Sequence, residues 1–339
     1  MTKERFNMLV GSIGAFIGVF VFLAYIPQTE VFMSRLLKKL FFIFLPIGVY
    51  LGIFVYFEPY NYFGIKTKNY DPDSAIVRVR NYMQDPADVI ILGDSRMAHF
   101  DMDTVGELVG EPVGQLSFGG AAFNESMDLL EFAMDKNPDL KTVYFGVSFY
   151  TLNESYYKDR MSSIEKTAEN PFAYILNFNY NIEMLNNIKN TLSGSAALDE
   201  KEIGHWTQED YLYPDGTQRP YRKNLEEYAD TIYSVCENYK SDKADIERYI
   251  TLLKQCREKG ITVYTVLPPM DRSIRELVVD KLGIGPDILE FIDSVKDYSQ
   301  VLNFEYVDDD PFTEYNFYDG FHLDMETGLP IFTKMLFER

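Results

Sequence analysis

The run Ala87-Asp88-Val89-Ile90-Ile91-Leu92 ends directly in Gly93-Asp94-Ser95-Arg96. A short apolar run of this kind, bounded by turn residues, reads as a buried strand. Residues 111–117 read as a short second strand, with a helix over 97–109 between the two. Residues 121–134 show helical apolar spacing, and 141–147 and 261–267 read as further strands. Two helical stretches, 224–239 and 243–259, are expected to cover the sheet. Alternating strands and helices predict βαβ units, hence an α/β fold with a largely parallel sheet and helices on both faces. Ser95 then falls at the carboxyl end of the first strand, where open α/β sheets place their ligand crevices.

The first sixty residues differ from the rest. Residues 9–26 are apolar apart from Ser12, and 40–57 carry no charge. Each run is long enough to span a bilayer, so one or two transmembrane helices are expected in an anchor over 1–59. A cleaved signal peptide competes for the first run, but Ala24-Tyr25-Ile26-Pro27 is a poor exit site. Arg35, Lys38 and Lys39 precede the second run and favour a domain outside the plasma membrane, with Lys3 and Arg5 opposing weakly. A juxtamembrane linker, 60–72, leads to the main domain, 73–339. Within it the regular alternation stops over 151–220. This candidate insertion carries His205, Trp206, Tyr211, Tyr213 and Tyr221, rings that suit sugar faces but read more readily as partner packing or a satellite core.

Composition removes several chemistries. The 339 residues include three histidines, His99, His205 and His322, and no HExxH or Cys-x-x-Cys, so neither metal nor cofactor is expected. Cys236 and Cys256 read as two buried thiols or one bridge. A net charge of −20 argues against nucleic acid as a partner and leaves a neutral sugar polymer or a membrane protein compatible.

Two pieces at opposite ends of the domain carry the chemistry. Serine attacks an acyl carbon only when an imidazole takes its proton, and the imidazole works best beside a carboxylate that fixes its tautomer. Ser95 supplies the hydroxyl, and Asp319-Gly320-Phe321-His322 supplies base and carboxylate. Taken singly, the first piece is an ordinary strand-to-helix turn capped by Asp94 or Ser95, and the second a turn before a final helix, 325–337, capped by Asp324. His99 is the rival base, but a neighbour four residues along one helix points along its axis and reads as packing. Arg96 reads as structural, pairing with a carboxylate or orienting the nucleophile turn.

Gly93-Asp94-Ser95-Arg96, the pair Gly119-Gly120 and Asp319-x-x-His322 together resemble the SGNH/GDSL hydrolase superfamily over about residues 85–339. The resemblance implies a three-layer α/β/α, flavodoxin-like domain with Ser95, Asp319 and His322 catalytic and Gly119 or Gly120 donating to an oxyanion. The superfamily's third block departs here: Gly146-Val147-Ser148 stands where Gly-x-Asn is expected, so the oxyanion site either lacks that side chain or uses Ser148, Asn124 or Asn153 instead. Membrane-anchored members of this build resemble the partners of membrane-bound O-acyltransferases in alginate and cellulose acetylation and in teichoic-acid D-alanylation. That implies a cell-envelope serine O-acyltransferase acting on an extracytoplasmic polysaccharide, with an integral-membrane O-acyltransferase as partner. An anchored carbohydrate or lipid esterase, and a silent binding module on the same fold, are the alternatives.

Overall fold

The computed structural model describes residues 31–65, 72–193, 221–305, 311–313 and 316–338. The apolar run 9–26, together with His205, Trp206, Tyr211, Tyr213 and the side chain of Tyr221, lies outside the described residues. The chain divides into two compact units, Met1–Pro72 with Thr167–Glu200, and Asp73–Lys166 with Lys201–Arg339.

The second unit is α/β. Its strands, β1 (Val89–Leu92), β2 (Val113–Gln115), β3 (Thr142–Gly146), β4 (Thr262–Leu267) and β5 (Gln300–Asn303), form one sheet in the order β2-β1-β3-β4-β5. Every pairing is parallel. The Val-Ile-Ile-Leu of β1 is at most 1% exposed throughout, as a strand covered on both faces must be. On one face Val89, Ile91, Tyr144 and Val266 pack with Val105, Phe332, Leu336 and Phe337, from the helices Met102–Val109 and Leu329–Phe337. On the other, Phe145 meets Phe123 and Tyr249 with ring centroids 5.9 and 4.6 Å apart, and Phe123 meets Phe291 at 5.9 Å. Those rings belong to the helices Phe123–Lys136, Lys243–Glu258 and Gly285–Val295. β2 and β3 flank β1 on opposite sides, so the strand order reverses at β1, where such sheets open a crevice at the carboxyl ends.

Boundaries differ from the sequence reading where aspartates intervene. The helix expected over 97–109 is divided: Ser95–Met97 is one 3₁₀ turn and the α-helix begins at Met102. The Asp101 carboxylate accepts from the Asp103 amide at 3.2 Å and from the Thr104 hydroxyl at 2.9 Å, giving the chain a fresh N-cap. Asp324 likewise accepts from the amides of Glu326 and Thr327, so a turn precedes the last helix, which begins at Leu329 rather than at residue 325. Cys236 and Cys256 are free and buried, and burial pushes their thiols up to about 12 and about 11.

In the first unit, the helix Val31–Phe57 contains Arg35–Phe57, 23 residues of mean hydropathy 2.3, long and apolar enough to cross a membrane. It includes the expected run 40–57 and extends back over Lys38 and Lys39. The helices Pro171–Ile175 and Phe178–Ser193, from the stretch where the strand–helix alternation stops, belong to this unit too. Fully buried Phe54 meets Tyr174 edge-on at 5.7 Å, and the Tyr174 hydroxyl donates to Glu58 at 2.6 Å.

Gly93, directly after β1, has φ +135°, and a Cβ there would lie 3.1 Å from the Gly146 carbonyl and 3.0 Å from Met97 Cγ. Gly110 ends a helix at φ +84° with nothing within 4 Å of its Cβ position. Both alanine variants are strained in backbone, but only Gly93→Ala also collides. Gly110→Ala is expected to cost about 1 kcal/mol and Gly93→Ala about 2–3 kcal/mol, measured as the difference in urea unfolding midpoints.

Candidate functional site

Ser95 is the first residue of a 3₁₀ turn whose N-cap is Asp94. One Asp94 oxygen accepts from the Arg96 amide at 3.0 Å, and the other from the Tyr150 hydroxyl at 2.5 Å. The turn leaves β1 through Gly93 and is pinned from below by Met97, which is fully buried. Met97 fits because Gly146, at the end of β3, is bare: a Cβ there would lie 2.2 Å from Met97 Cγ.

The loop at 317–323 reaches the same place from the far end of the chain. Phe317 and Leu323 form an antiparallel bridge, and the Tyr318 amide donates to the His322 carbonyl at 2.9 Å. Gly320 turns at φ +80°, and its carbonyl accepts from the Asp271 amide at 2.7 Å. Within the loop, one Asp319 oxygen accepts from the amides of Phe321 and His322 at 2.9 and 2.7 Å. The other lies 2.8 Å from His322 Nδ1. His322 Nε2 is 2.8 Å from the Ser95 hydroxyl. With the Nδ1 proton donated to Asp319, Nε2 is left as the acceptor for Ser95. A serine, an imidazole and a carboxylate thus form one continuous relay between residues 227 positions apart. Tyr228 closes one side, its ring edge-on to His322 at 5.4 Å.

His99 does not take the base position. It lines the same pocket as Ser95, His322, Leu323, Met325 and Leu329, with Nδ1 3.7 Å from Asp73. Burial, with His322 and Arg78 nearby, brings its pKa down to about 4, so the ring is neutral near pH 7.

The residues expected near an oxyanion are placed less uniformly. The Phe118 amide donates to the Gly93 carbonyl at 3.2 Å, which sets the Gly119-Gly120 loop beside the Ser95 turn. The amides of Ser95 and Gly119 donate to no group among the described residues. Gly120, at φ +65°, turns its carbonyl to Lys158 Nζ at 2.7 Å and Arg160 at 3.1 Å. Ser148 accepts from Arg96 at 3.1 Å. Asn124 exchanges hydrogen bonds with the Lys158 backbone, and Asn153 is held by the Val235 carbonyl and the Lys240 amide. Both asparagine side chains are engaged in loop structure.

No protein-family model matches this chain. No curated protein matches it either. The site therefore stands on its own geometry.

Arg96 pairs with a carboxylate as its sequence reading expects, but the partner, Glu305, carries no signal in the sequence. Arg96, 6% exposed, donates to Glu305 at 2.8 Å, to the Pro269 carbonyl at 3.0 Å and to the Pro268 carbonyl. Its guanidinium also lies 4.3 Å from the Phe321 ring centroid. Burial pushes the Glu305 carboxyl up while Arg96 draws it down, and Glu305 Oε2 accepts nothing among the described residues. Glu305 escapes sequence reading because it follows β5, whose Gln-Val-Leu-Asn carries no strand signature.

Arg96→Ala strands the Glu305 carboxylate and is expected to cost about 3–5 kcal/mol in unfolding free energy, with much of it regained when Glu305→Gln is added. His99 supplies a pH dependence. The unfolded chain takes up its proton near pH 6.5 and the folded one only near 4. The linked stability is present above pH 6.5 and is lost as pH falls toward 4, by up to about 3 kcal/mol. His99→Gln is expected to flatten that part of the pH–stability curve.

Proposed function

We propose that this protein is a membrane-anchored serine acyltransferase of SGNH type, a three-layer, flavodoxin-like domain whose triad is Ser95, His322 and Asp319. The observation that carries the reading is the relay itself, 2.8 Å from Ser95 Oγ to His322 Nε2 and 2.8 Å from His322 Nδ1 to Asp319. The strand order β2-β1-β3-β4-β5, with Ser95 at the carboxyl end of β1, supports it.

In this reading His322 Nε2 takes the Ser95 proton as Oγ bonds to an ester carbonyl carbon. Asp319 holds the ring in the required tautomer and stabilises the imidazolium. The amides of Ser95 and Gly119 face the developing oxyanion, with Gly120 shaping the loop. Collapse of the tetrahedral intermediate breaks the bond to the leaving oxygen, which takes the proton from His322 and leaves an acyl-serine. An incoming hydroxyl then gives its proton to His322 and bonds to the acyl carbon; collapse breaks the bond to Ser95 Oγ, which takes that proton back from His322 and restores the resting site. Where that hydroxyl belongs to an envelope polysaccharide, the protein is an O-acyltransferase. An integral-membrane acyltransferase that delivers the acyl group is the partner this architecture suits. The charges Arg35, Lys38 and Lys39 favour an extracytoplasmic site.

An anchored carbohydrate or lipid esterase uses the same triad. The 15% exposure of the His322 side chain favours it wherever water reaches the acyl-serine first. A silent binding module has no use for a complete relay.

The test is intact-mass spectrometry of the full chain in detergent after exposure to a fluorophosphonate. One adduct is expected, absent from Ser95→Ala and formed at least about 10²-fold more slowly by His322→Ala. A folded chain that takes no adduct, or that keeps it in Ser95→Ala, overturns the reading.

A further inference from the structure

The first unit carries an apolar surface beyond its membrane-length helix. Phe172 and Leu176 are 73% and 74% exposed, and along the helix Phe178–Ser193 so are Phe178 at 76%, Ile182 at 41%, Leu185 at 58% and Leu192 at 83%. At 3.6 residues per turn, positions 178, 182, 185 and 192 fall on one strip about 80° wide. Lys189 lies within the same strip. The opposite side of this helix is buried through Tyr180 and Met184, while Asn179, Glu183 and Asn186 form an exposed polar flank. A two-faced surface helix needs only the buried and polar faces. This one has a third, and apolar rings and leucines left in water there would have no compensating contact.

Its position within the unit says what covers it. The Tyr50 hydroxyl is 2.9 Å from the Ile175 carbonyl and 2.8 Å from Asn181 Oδ1, and Asn187 donates to the Phe57 carbonyl at 3.0 Å. Tyr50 precedes the helix end at Phe57 by seven residues, which is about 10 Å of helix. Helices fastened along that stretch lie at the depth of the headgroup and upper acyl region, where interfacial helices sit about 5–10 Å deep. The lysine in the apolar strip suits this depth, since its stem can lie along the apolar surface while the ammonium reaches the phosphates.

We infer that Pro171–Ile175 and Phe178–Ser193 form a second membrane contact from the middle of the chain, an interfacial bracket whose strip of Phe178, Ile182, Leu185 and Leu192 rests in the lipid surface. This rests on reading Arg35–Phe57 as the membrane span. The bracket makes attachment two-point, so the span cannot rotate freely about its own axis relative to this helix pair.

The test uses the full chain with Trp206→Phe and one tryptophan returned at a time, at Phe178, Leu185, Glu183 or Ile47. Each variant is reconstituted in vesicles of phosphatidylcholine and phosphatidylglycerol, without bromine, with bromine near the upper ends of the acyl chains for positions 178, 183 and 185, or with bromine near their methyl ends for position 47. Tryptophan at 178 and 185 is expected to shift to the blue and lose roughly half its emission to brominated lipid, with much less loss at 183. Quenching at 47 with none at 178 or 185 overturns the bracket while sparing the span, and leaves the strip to a protein partner. Equal quenching at 183 and 185 overturns the sided placement. No quenching at 47 removes the span and the bracket with it.

Discussion

The guanidinium of Arg96 is the junction on which the carboxyl end of the sheet depends. It stands one residue after Ser95, yet its partners come from the segments following β3, β4 and β5: Ser148, Pro268, Pro269 and Glu305. The Phe321 ring lies against it as well, and that residue immediately precedes His322. One fixed fork therefore sets the Ser95 turn against three strand ends and against the loop that carries His322. An arginine suits the position because its planar donors can satisfy several carbonyls and a carboxylate at once, which a lysine cannot do in the same geometry. Full burial of the pair raises the stakes, because neither charge has water to fall back on.

The Gly119-Gly120 loop is fastened by separate charges. Glu125 accepts from the Ala122 amide at 3.0 Å at the start of its helix and also receives Arg160 at 2.6 Å. Arg160 and Lys158 in turn hold the Gly120 carbonyl. The loop that presents Gly119 is thus tied to the first turn of the helix that follows it. Tyr150, in the turn after β3, completes the frame by holding Asp94, and burial beside that carboxylate pushes its phenol well up, so it remains a donor. Ser95 and His322 sit at the surface of this frame, while the groups that set their angles lie beneath it.

How much of this could be read in advance follows from where the information lies. β1, β3 and β4 were legible because each is a compact apolar run between turn residues, and the helices Phe123–Lys136 and Lys243–Glu258 because their apolar spacing is periodic. β5 was not, since an edge strand with exposed Gln300 needs no continuous apolar text. Aspartates 101 and 324 moved helix starts because a side-chain cap outweighs apolar periodicity locally. Ser95, Asp319 and His322 could be named from residue type and order, but the loop geometry that joins them depends on tertiary contacts such as Gly320 with Asp271. Arg96 was visible as a residue seeking a carboxylate; which one required the fold, since Glu305 lies 209 positions away. The grouping of Thr167–Glu200 with the apolar helix had no sequence signal beyond the loss of βαβ rhythm.

Cys236 and Cys256 are both unpaired and closed off from solvent, with thiols held protonated at neutral pH. Oxidants and disulfide exchange act on thiolates that can be reached, and neither thiol qualifies. The α/β unit is therefore indifferent to redox conditions: it can acquire the same fold in a reducing cytosol and in an oxidising envelope, and needs no disulfide-forming machinery wherever it matures.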